Sequence, residues 1–461
     1  MMGHNHGMRE ALLRHAAYPA VDVCAGTHLM QHMRDIDASR RWSPERVQEL
    51  QNARLRTLLH HAFTHVPYYE SLSHECRVNP ECIRCVEDLG QLPFLTKDLV
   101  RQRQHELASR DWRLRRPLVC STSGSTGTPM TFLLDRECVA VGWACLFHSW
   151  AADGYHLGDR RVTIRGTAIS SHPVPFLEHL RQSLENNLCL SSHSMGPTKA
   201  LNYAQHIARH RPRVIRGHPS ALAAVATEVL DHAVPNTGVL AIYTTGEQIT
   251  EAQRRIIESA FRAPVRDQYG LNDGGAMILQ CSDSRCGLYH VAPEKAIVEI
   301  VRDDGAPAHP GEVGEIVATD LFNYSMPFIR YRTGDIAVAS ELICECGRQD
   351  LTIARIEGRR MSSIRRADGT RVSGLVLLDP FEKLALDKPG AVMAYRLVQE
   401  SDLSVHVLVI PGPRFDTSLQ YTITSHFRTH LGGELPITIE TVDNLPENRN
   451  GKRHFVISHA E

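Results

Sequence analysis

Two stretches of this sequence carry residues whose types and spacing suit chemistry. The first, Ser121-Thr122-Ser123-Gly124-Ser125-Thr126-Gly127, offers hydroxyls, backbone N–H groups and two glycines, with no charge at all. Such a loop can fold around an oligophosphate, because glycine lets the main chain approach and hydroxyls donate to non-bridging oxygens. It differs from the Gly-x4-Gly-Lys-Ser/Thr loop, since no lysine follows Gly127. The second is Cys281-x4-Cys286-x3-His290 with Cys344-Glu345-Cys346-Gly347, two short clips of soft or borderline ligands. Zn²⁺ takes four such ligands in a tetrahedron, and a protein without disulfides has few other reasons to cluster thiols beside tight glycine turns.

Elements must hold these stretches in place. Runs of β-prone residues flank the hydroxyl loop, Pro117-Leu118-Val119-Cys120 before it and Thr131-Phe132-Leu133-Leu134 after it. From residue 117 onward, short β-type runs (118–120, 161–164, 214–216, 240–243) alternate with helical patterns (199–211, 219–232, 250–261), which predicts α/β layering on a largely parallel sheet. Upstream, residues 44–75 carry helical spacing that is expected to stop at Val66-Pro67-Tyr68-Tyr69, where proline forbids continuation, and Thr96 is placed to cap a helix before Asp98. Between 287 and 340 the helices give way to strands at 296–301, 315–319 and 328–331. Beyond Glu357-Gly358-Arg359-Arg360 a compact pattern follows: helix 374–385, strands 393–398 and 403–410, helix 417–431, strand 436–442. The expected fold is α/β, a large N-terminal domain of layered sheets (1–357) and a small mobile α+β C-terminal domain (361–461), hinged near Gly358.

Composition sets bounds on function. The 461 residues allow about three compact units, or one large and one smaller. Lys plus Arg total 51 and Asp plus Glu 52, so charge gives no reason to expect nucleic acid or an anionic membrane as the main partner. The longest apolar-leaning stretch, Cys138 to Ala152, falls short of the about 20 residues a spanning helix needs and reads as a buried helix. MMGHNHGMRE lacks the pattern of an export signal, so the expected address is the cytoplasm, where most of the 12 cysteines are expected to stay reduced.

Further motifs narrow the reading. Asp267-Gln268-Tyr269-Gly270-Leu271-Asn272-Asp273, Tyr331-Arg332-Thr333-Gly334-Asp335 at a strand end, and Asn444-Leu445-Pro446-Glu447-Asn448-Arg449-Asn450-Gly451-Lys452 follow the hydroxyl loop in order. Together they resemble the signature of the AMP-forming acyl-adenylating superfamily. Val66-Pro67-Tyr68-Tyr69, Leu92-Pro93-Phe94-Leu95-Thr96-Lys97, Arg216-Gly217-His218-Pro219-Ser220 and Asn323 to Arg332 resemble its phenylacetate-CoA ligase and CapK-like branch.

The resemblance implies that ATP binds through Ser121, Thr122, Ser123, Gly124, Ser125, Thr126, Gly127, Gly246, Glu247, Gln248, Tyr269, Asp335 and Arg359. In this scheme Asp335 accepts the ribose hydroxyls with Arg359 nearby, Tyr269 covers the adenine face, and Gly246-Glu247-Gln248 line its other side through backbone. Lys452 is the implied catalytic cation, swung in on the small domain. Asp273 is the implied Mg²⁺ carboxylate where the family has Glu, one methylene longer. Met361-Ser362 stand where the family hinge carries two aspartates. Such Cys/His clips also occur in this branch, and Cys286, His290, Cys344 and Cys346 are assigned as a structural Zn²⁺ quartet with Cys281 in reserve. His74, Cys76, Cys82 and Cys85 are read as incidental.

The implied activity is ATP-dependent activation of a small, aromatic carboxylic acid as acyl-AMP, followed by transfer to coenzyme A. Transfer to an amine, a hydroxyl or a carrier-protein thiol is the alternative, and a non-catalytic nucleotide binder is disfavoured by Lys452. A homodimer is compatible with either. The acid pocket implied by the fold runs along Trp143 to Trp150, Arg216 to Ser220 and Tyr243 to Thr245, where Trp143, Phe147 and Tyr243 suit a flat guest or an ordinary core.

Overall fold

The computed structural model describes residues 9–75, 79–121, 130–166, 182–193, 195–235, 238–283, 286–348, 350–359, 363–373, 377, 380–381, 388, 391–433, 435–445 and 455–460. A hairpin of β1 (Leu118–Ser121) and β2 (Thr131–Leu134) precedes helix α1 (Arg136–Ala152). Then come β3 (Arg161–Arg165), β4 (Asn187–Ser191), α2 (Pro197–His210), β5 (Val214–Gly217), α3 (Pro219–Asp231), β6 (Ala241–Thr245), α4 (Glu251–Phe261) and β7 (Val265–Gly270). Strands β8 (Met277–Gln280), β9 (Tyr289–Val291), β10 (Ala296–Val301), β11 (Val313–Asp320), β12 (Tyr331–Ala339) and β13 (Thr352–Arg359) follow without a named helix among them.

All strands from β3 to β13 join one 11-stranded sheet in the order β10-β11-β12-β13-β9-β8-β7-β6-β5-β3-β4. The parallel pairing predicted from the alternating helices holds from β7 through β6, β5 and β3 to β4. From β7 to β10 every pair is antiparallel, so the helix-poor segment extends the same sheet. Helices α2, α3 and α4 cover one face of the parallel half, burying Ile207, Leu222, Val225 and Ile257 against Val162, Ile215 and Ile242. On the other face α1 sets Phe147 and Trp150 against Tyr243. The Cys138 to Ala152 stretch is thus a buried helix, as its apolar run predicts. No helix among the described residues is long and apolar enough to cross a membrane.

The N-terminal helical pattern divides in two. The helix Pro44–His65 stops at Val66, whose extended backbone suits a residue before proline, and Pro67 starts a second helix to Glu75. Thr96 accepts from the Leu99 N–H as the expected cap. The strand expected at 328–331 starts only at Tyr331, because Arg330 adopts φ +51° and turns the chain. Asp335 lies inside β12, not at a strand end. Between Arg332 and Ile336 the β11 pairing slips, and Gly334 at φ +77° makes the bulge.

After β13 the chain builds a separate small α+β unit. It contains the hairpin β14 (Ser363–Arg365) and β15 (Arg371–Ser373), then β16 (Val392–Gln399), β17 (Val405–Pro411), helix α5 (Thr417–Leu431), β18 (Ile437–Thr441) and β19 (Val456–Ser458). Its four-stranded sheet runs β18-β17-β16-β19, and Ile423, Phe427, Leu397 and Val407 form its own core. The hairpin and β19 had no counterpart in the sequence pattern. Most of the helix expected at 374–385 lies outside the described residues.

Candidate active site

The bulge in β12 presents Asp335, a carboxylate only 6% exposed. Its N–H donates to Thr333 Oγ1 at 3.0 Å, and Thr333 donates in turn to the Ile316 carbonyl. Tyr269, across the sheet on β7, donates its phenol to Asp335 Oδ2 at 2.7 Å. Burial first, and then the Asp335 charge, push that phenol well above its usual pKa, so it remains a donor. On the other side Asp335 pairs in register with Arg359 of β13. Three of the residues assigned to the nucleotide therefore converge on one bulge.

The Gly246-Glu247-Gln248 turn follows β6, with Gly246 at φ +79°. Both side chains are engaged by protein groups. Glu247 accepts from the Ser220 N–H at the start of α3, and Gln248 Nε2 donates to the Ile356 carbonyl of β13. Gly358 lies against Gln248, where a Cβ would stand 3.0 Å from its Oε1. This turn is thereby packed against the strand that ends in Arg359.

Asp273, in the turn after β7, is buried and accepts from the Tyr331 phenol at 3.0 Å. That is its only hydrogen bond among the described residues. One carboxylate oxygen thus remains for a hard cation, which fits the Mg²⁺ assignment.

Residue Ser121 ends β1 opposite Thr131 of β2, so both ends of the hydroxyl loop are clamped by a hairpin. Thr122, Ser123, Gly124, Ser125, Thr126 and Gly127 lie outside the described residues, as do Met361, Ser362, Lys452 and the side chain of Arg359. The Leu92 to Lys97 motif, given no role from sequence, supports the bulge from outside. Leu95 exchanges backbone hydrogen bonds with Arg330 and Arg332, and Lys97 Nζ donates to the Thr333 carbonyl at 3.0 Å.

Of the aromatic residues offered for the acid pocket, most are core. Trp150 stacks on Tyr243 at 5.0 Å, Phe147 on Tyr155 at 6.1 Å, and all four are buried. The Tyr243 hydroxyl is held by Asp153. Helical periodicity marks an apolar face without telling pocket from core, and only Trp143 stays partly open. Burial, and then the charges of Arg40 and Arg348, lower the His148 pKa to about 4. His218 bridges Thr245 and Gly166, using both ring nitrogens.

The cysteine cluster forms where β8, β9 and β13 meet. Ligand atoms of Cys281, His290, Cys344 and Cys346 all lie within 4.8 Å of one another. A tetrahedral Zn²⁺ with Zn–S near 2.3 Å holds its ligands about 3.5–3.8 Å apart. Cys344 lies 3.6 Å from Cys281, and Cys346 lies 3.5 Å from His290 Nε2, which fits. The set differs from the sequence assignment by one member. Cys281, fixed by its N–H to the Leu288 carbonyl, replaces Cys286, whose sulfur sits 3.0 Å from that of Cys344, closer than two thiolates on one zinc. Gly347 at φ +81° closes the Cys344 to Cys346 turn. Of the second clip, Cys85 donates to Asp88 and Cys82 is exposed, whereas Cys76 and the His74 side chain lie outside the described residues.

Comparison with known proteins agrees with this geometry. Residues 364–459 match the CapK C-terminal domain family. Protein CapK of Staphylococcus aureus is 22% identical over 421 residues, 90% of this chain and 89% of that protein. The phenylacetate-coenzyme A ligase of Thermus thermophilus is 25% identical over 435 residues, 90% of this chain and 96% of that one. Among solved structures, 2-hydroxyisobutyryl-CoA ligase in its postadenylation state superposes with TM-score 0.70 at 16% identity, covering 91% of this chain and 90% of the other. The fold is that of the AMP-forming ligases. Within that fold the chain is similar, over nine-tenths of its length, to proteins named CapK and phenylacetate-coenzyme A ligase.

Proposed function

We propose that this protein activates a small carboxylic acid as its acyl-AMP and then transfers the acyl group to coenzyme A. The observation that carries the reading is the convergence of Asp335, Tyr269 and Arg359 beside the Gly246 to Gln248 turn. Asp335, an acceptor with one oxygen fixed by Tyr269, is suited to the ribose hydroxyls, and the turn's backbone to the base.

In the first half-reaction an oxygen of the substrate carboxylate attacks the α-phosphorus of ATP. The bond to the bridging oxygen of the β-phosphate breaks, and pyrophosphate leaves. Charge grows on the phosphoryl oxygens, where Lys452 supplies a cation and the hydroxyls of the 121–127 loop donate. Asp273 is the residue that would hold Mg²⁺, which would supply positive charge against the phosphates. Zn²⁺ would be held by Cys281, His290, Cys344 and Cys346, where it supplies a structural crosslink at the base of β13.

In the second half-reaction the coenzyme A thiolate attacks the acyl carbon and AMP leaves. Lys452 must first withdraw, so the unit from residue 361 turns about Gly358 to Ser362. Trp143 offers an aromatic acid one wall; the relatives named phenylacetate-coenzyme A ligase favour such a guest, whereas the use of Phe147, Trp150 and Tyr243 as core reduces the aromatic surface left for it. A second reading, transfer to an amine, hydroxyl or carrier-protein thiol, is motivated by Met361 and Ser362 standing where the resembled family's hinge carries two aspartates. Incubation with ATP, Mg²⁺ and a panel of acids, with and without coenzyme A, separates the two by product mass. A thioester supports the first; acyl-AMP captured only by an amine or carrier protein supports the second.

A further inference from the structure

Three guanidiniums lie close together where β3 and β5 run side by side, and they differ in their partners. Arg161 is paired with Glu185 at 2.6 Å and with the Tyr18 hydroxyl at 3.0 Å. Arg165, at the end of β3, contributes a second positive charge. Arg216, on β5, has no carboxylate partner among the described residues. Its hydrogen bonds are two long ones to neutral oxygens, Nη2 to Thr245 Oγ1 at 3.3 Å and Nε to Gln268 Oε1 at 3.4 Å. Nearby Arg266, by contrast, has Asp153. Burial, followed by the charges of Arg165 and Arg161, lowers the Arg216 guanidinium to about 10, the direction expected of a cation held without a counterion.

A second group at the same place lacks a partner. Gln268, 3% exposed on β7, accepts from Arg216 through Oε1, while its Nε2 makes no hydrogen bond among the described residues. A buried amide donor left open costs about 1–3 kcal/mol unless a ligand fills it. The Trp143 ring, 5.9 Å from the guanidinium, walls the other side. The pair lies toward the carboxyl ends of the parallel strands, beyond which ligands of such sheets bind, and Thr245 leads directly into the Gly246 turn.

We infer that Arg216 and Gln268 form an anion-recognising end of the acid pocket, so that the acid activated here carries a second anionic group distal to the carboxyl that is adenylated. This rests on the adenylating reading above. Arg216 would offer charged donors and Gln268 Nε2 a neutral one, a pairing suited to a carboxylate. A monoacid of the same skeleton would leave both unfilled.

The test measures ATP–pyrophosphate exchange with matched pairs, benzoate against isophthalate and butanoate against glutarate, in the wild type, Arg216→Gln and Gln268→Leu, with ATP binding measured in parallel. The expected result is that one diacid exceeds its monoacid partner in kcat/KM by about tenfold or more. Arg216→Gln should erase that preference through KM while ATP binding persists, and Gln268→Leu should weaken it in the same direction. Equal activity on monoacid and diacid, or equal losses on both in Arg216→Gln, overturns the inference and leaves adenylation standing. Loss of ATP binding in that folded variant assigns Arg216 to a nucleotide phosphate and also overturns it. Absence of exchange with every acid overturns the adenylating reading and the inference together.

Discussion

Tyr269 of β7 donates to Asp335 of β12, and the relationship is reciprocal along the sheet. Tyr331, at the start of β12, donates to Asp273 just beyond β7. Two phenols thus cross-brace the carboxylate assigned to ribose and the carboxylate assigned to metal. Each phenol occupies one oxygen of its acid and so orients the other.

Removing one brace should affect nucleotide binding more than folding. Tyr269→Phe keeps the ring and deletes the hydrogen bond, so we expect the KM for ATP to rise by about three- to tenfold, equivalent to roughly 1 kcal/mol. Asp335→Asn should weaken ATP binding further. Steady-state kinetics with thermal melting as control checks this; an unchanged KM in both variants would remove Asp335 from the nucleotide site.

Metal removal gives a separate handle. Purified protein should contain about one zinc per chain, and Cys344→Ser should lower both zinc content and melting temperature, because metal binding contributes to folding. Cys286→Ser should retain the metal, since Cys286 stands outside the four-residue set. Elemental analysis of the two variants decides between the sets.

Acid should destabilise the fold in a defined window. His148 has its pKa lowered to about 4 by burial and by Arg40 and Arg348, so the unfolded chain binds the proton more readily. Its contribution is therefore full above about 6.5 and is lost as pH falls toward 4, by about 1–3 kcal/mol. Urea titrations at pH 7 and pH 5 should show a smaller difference for His148→Gln than for wild type.

Gly358 is expected to matter for the second half-reaction. At φ +85° and in contact with Gln248, it resists any side chain, and Gly358→Pro should impair thioester formation more than adenylation. Single-turnover measurement of acyl-AMP and thioester in one reaction shows which step fails.

What could be read from sequence follows from how each feature is encoded. Strand and helix positions such as Val214–Gly217 and Pro219–Asp231 are local, set by alternation and by proline at a helix start, and their bounds in the structure lie within a residue or two of the pattern. The bulge at Gly334 was hidden because a strand with one extra residue has the same composition as a strand end. The Tyr331–Asp273 and Lys97–Thr333 contacts join residues far apart in the chain, and no spacing rule reports them. Phe147 and Tyr243 were ambiguous because an apolar face serves a core and a guest alike. Cys281 and Cys286 could be ranked only once β8 fixed the direction of the first.

The most direct test of the central claim is acid-dependent exchange of labelled pyrophosphate into ATP, compared between wild type and Lys452→Ala with ATP binding measured on both. If Lys452 acts on charge developing in the transition state, the variant should lose exchange by about a hundredfold or more while binding ATP within a few fold. Undiminished exchange in Lys452→Ala, or ATP turnover to ADP without pyrophosphate release in the wild type, would contradict adenylation as derived from this site.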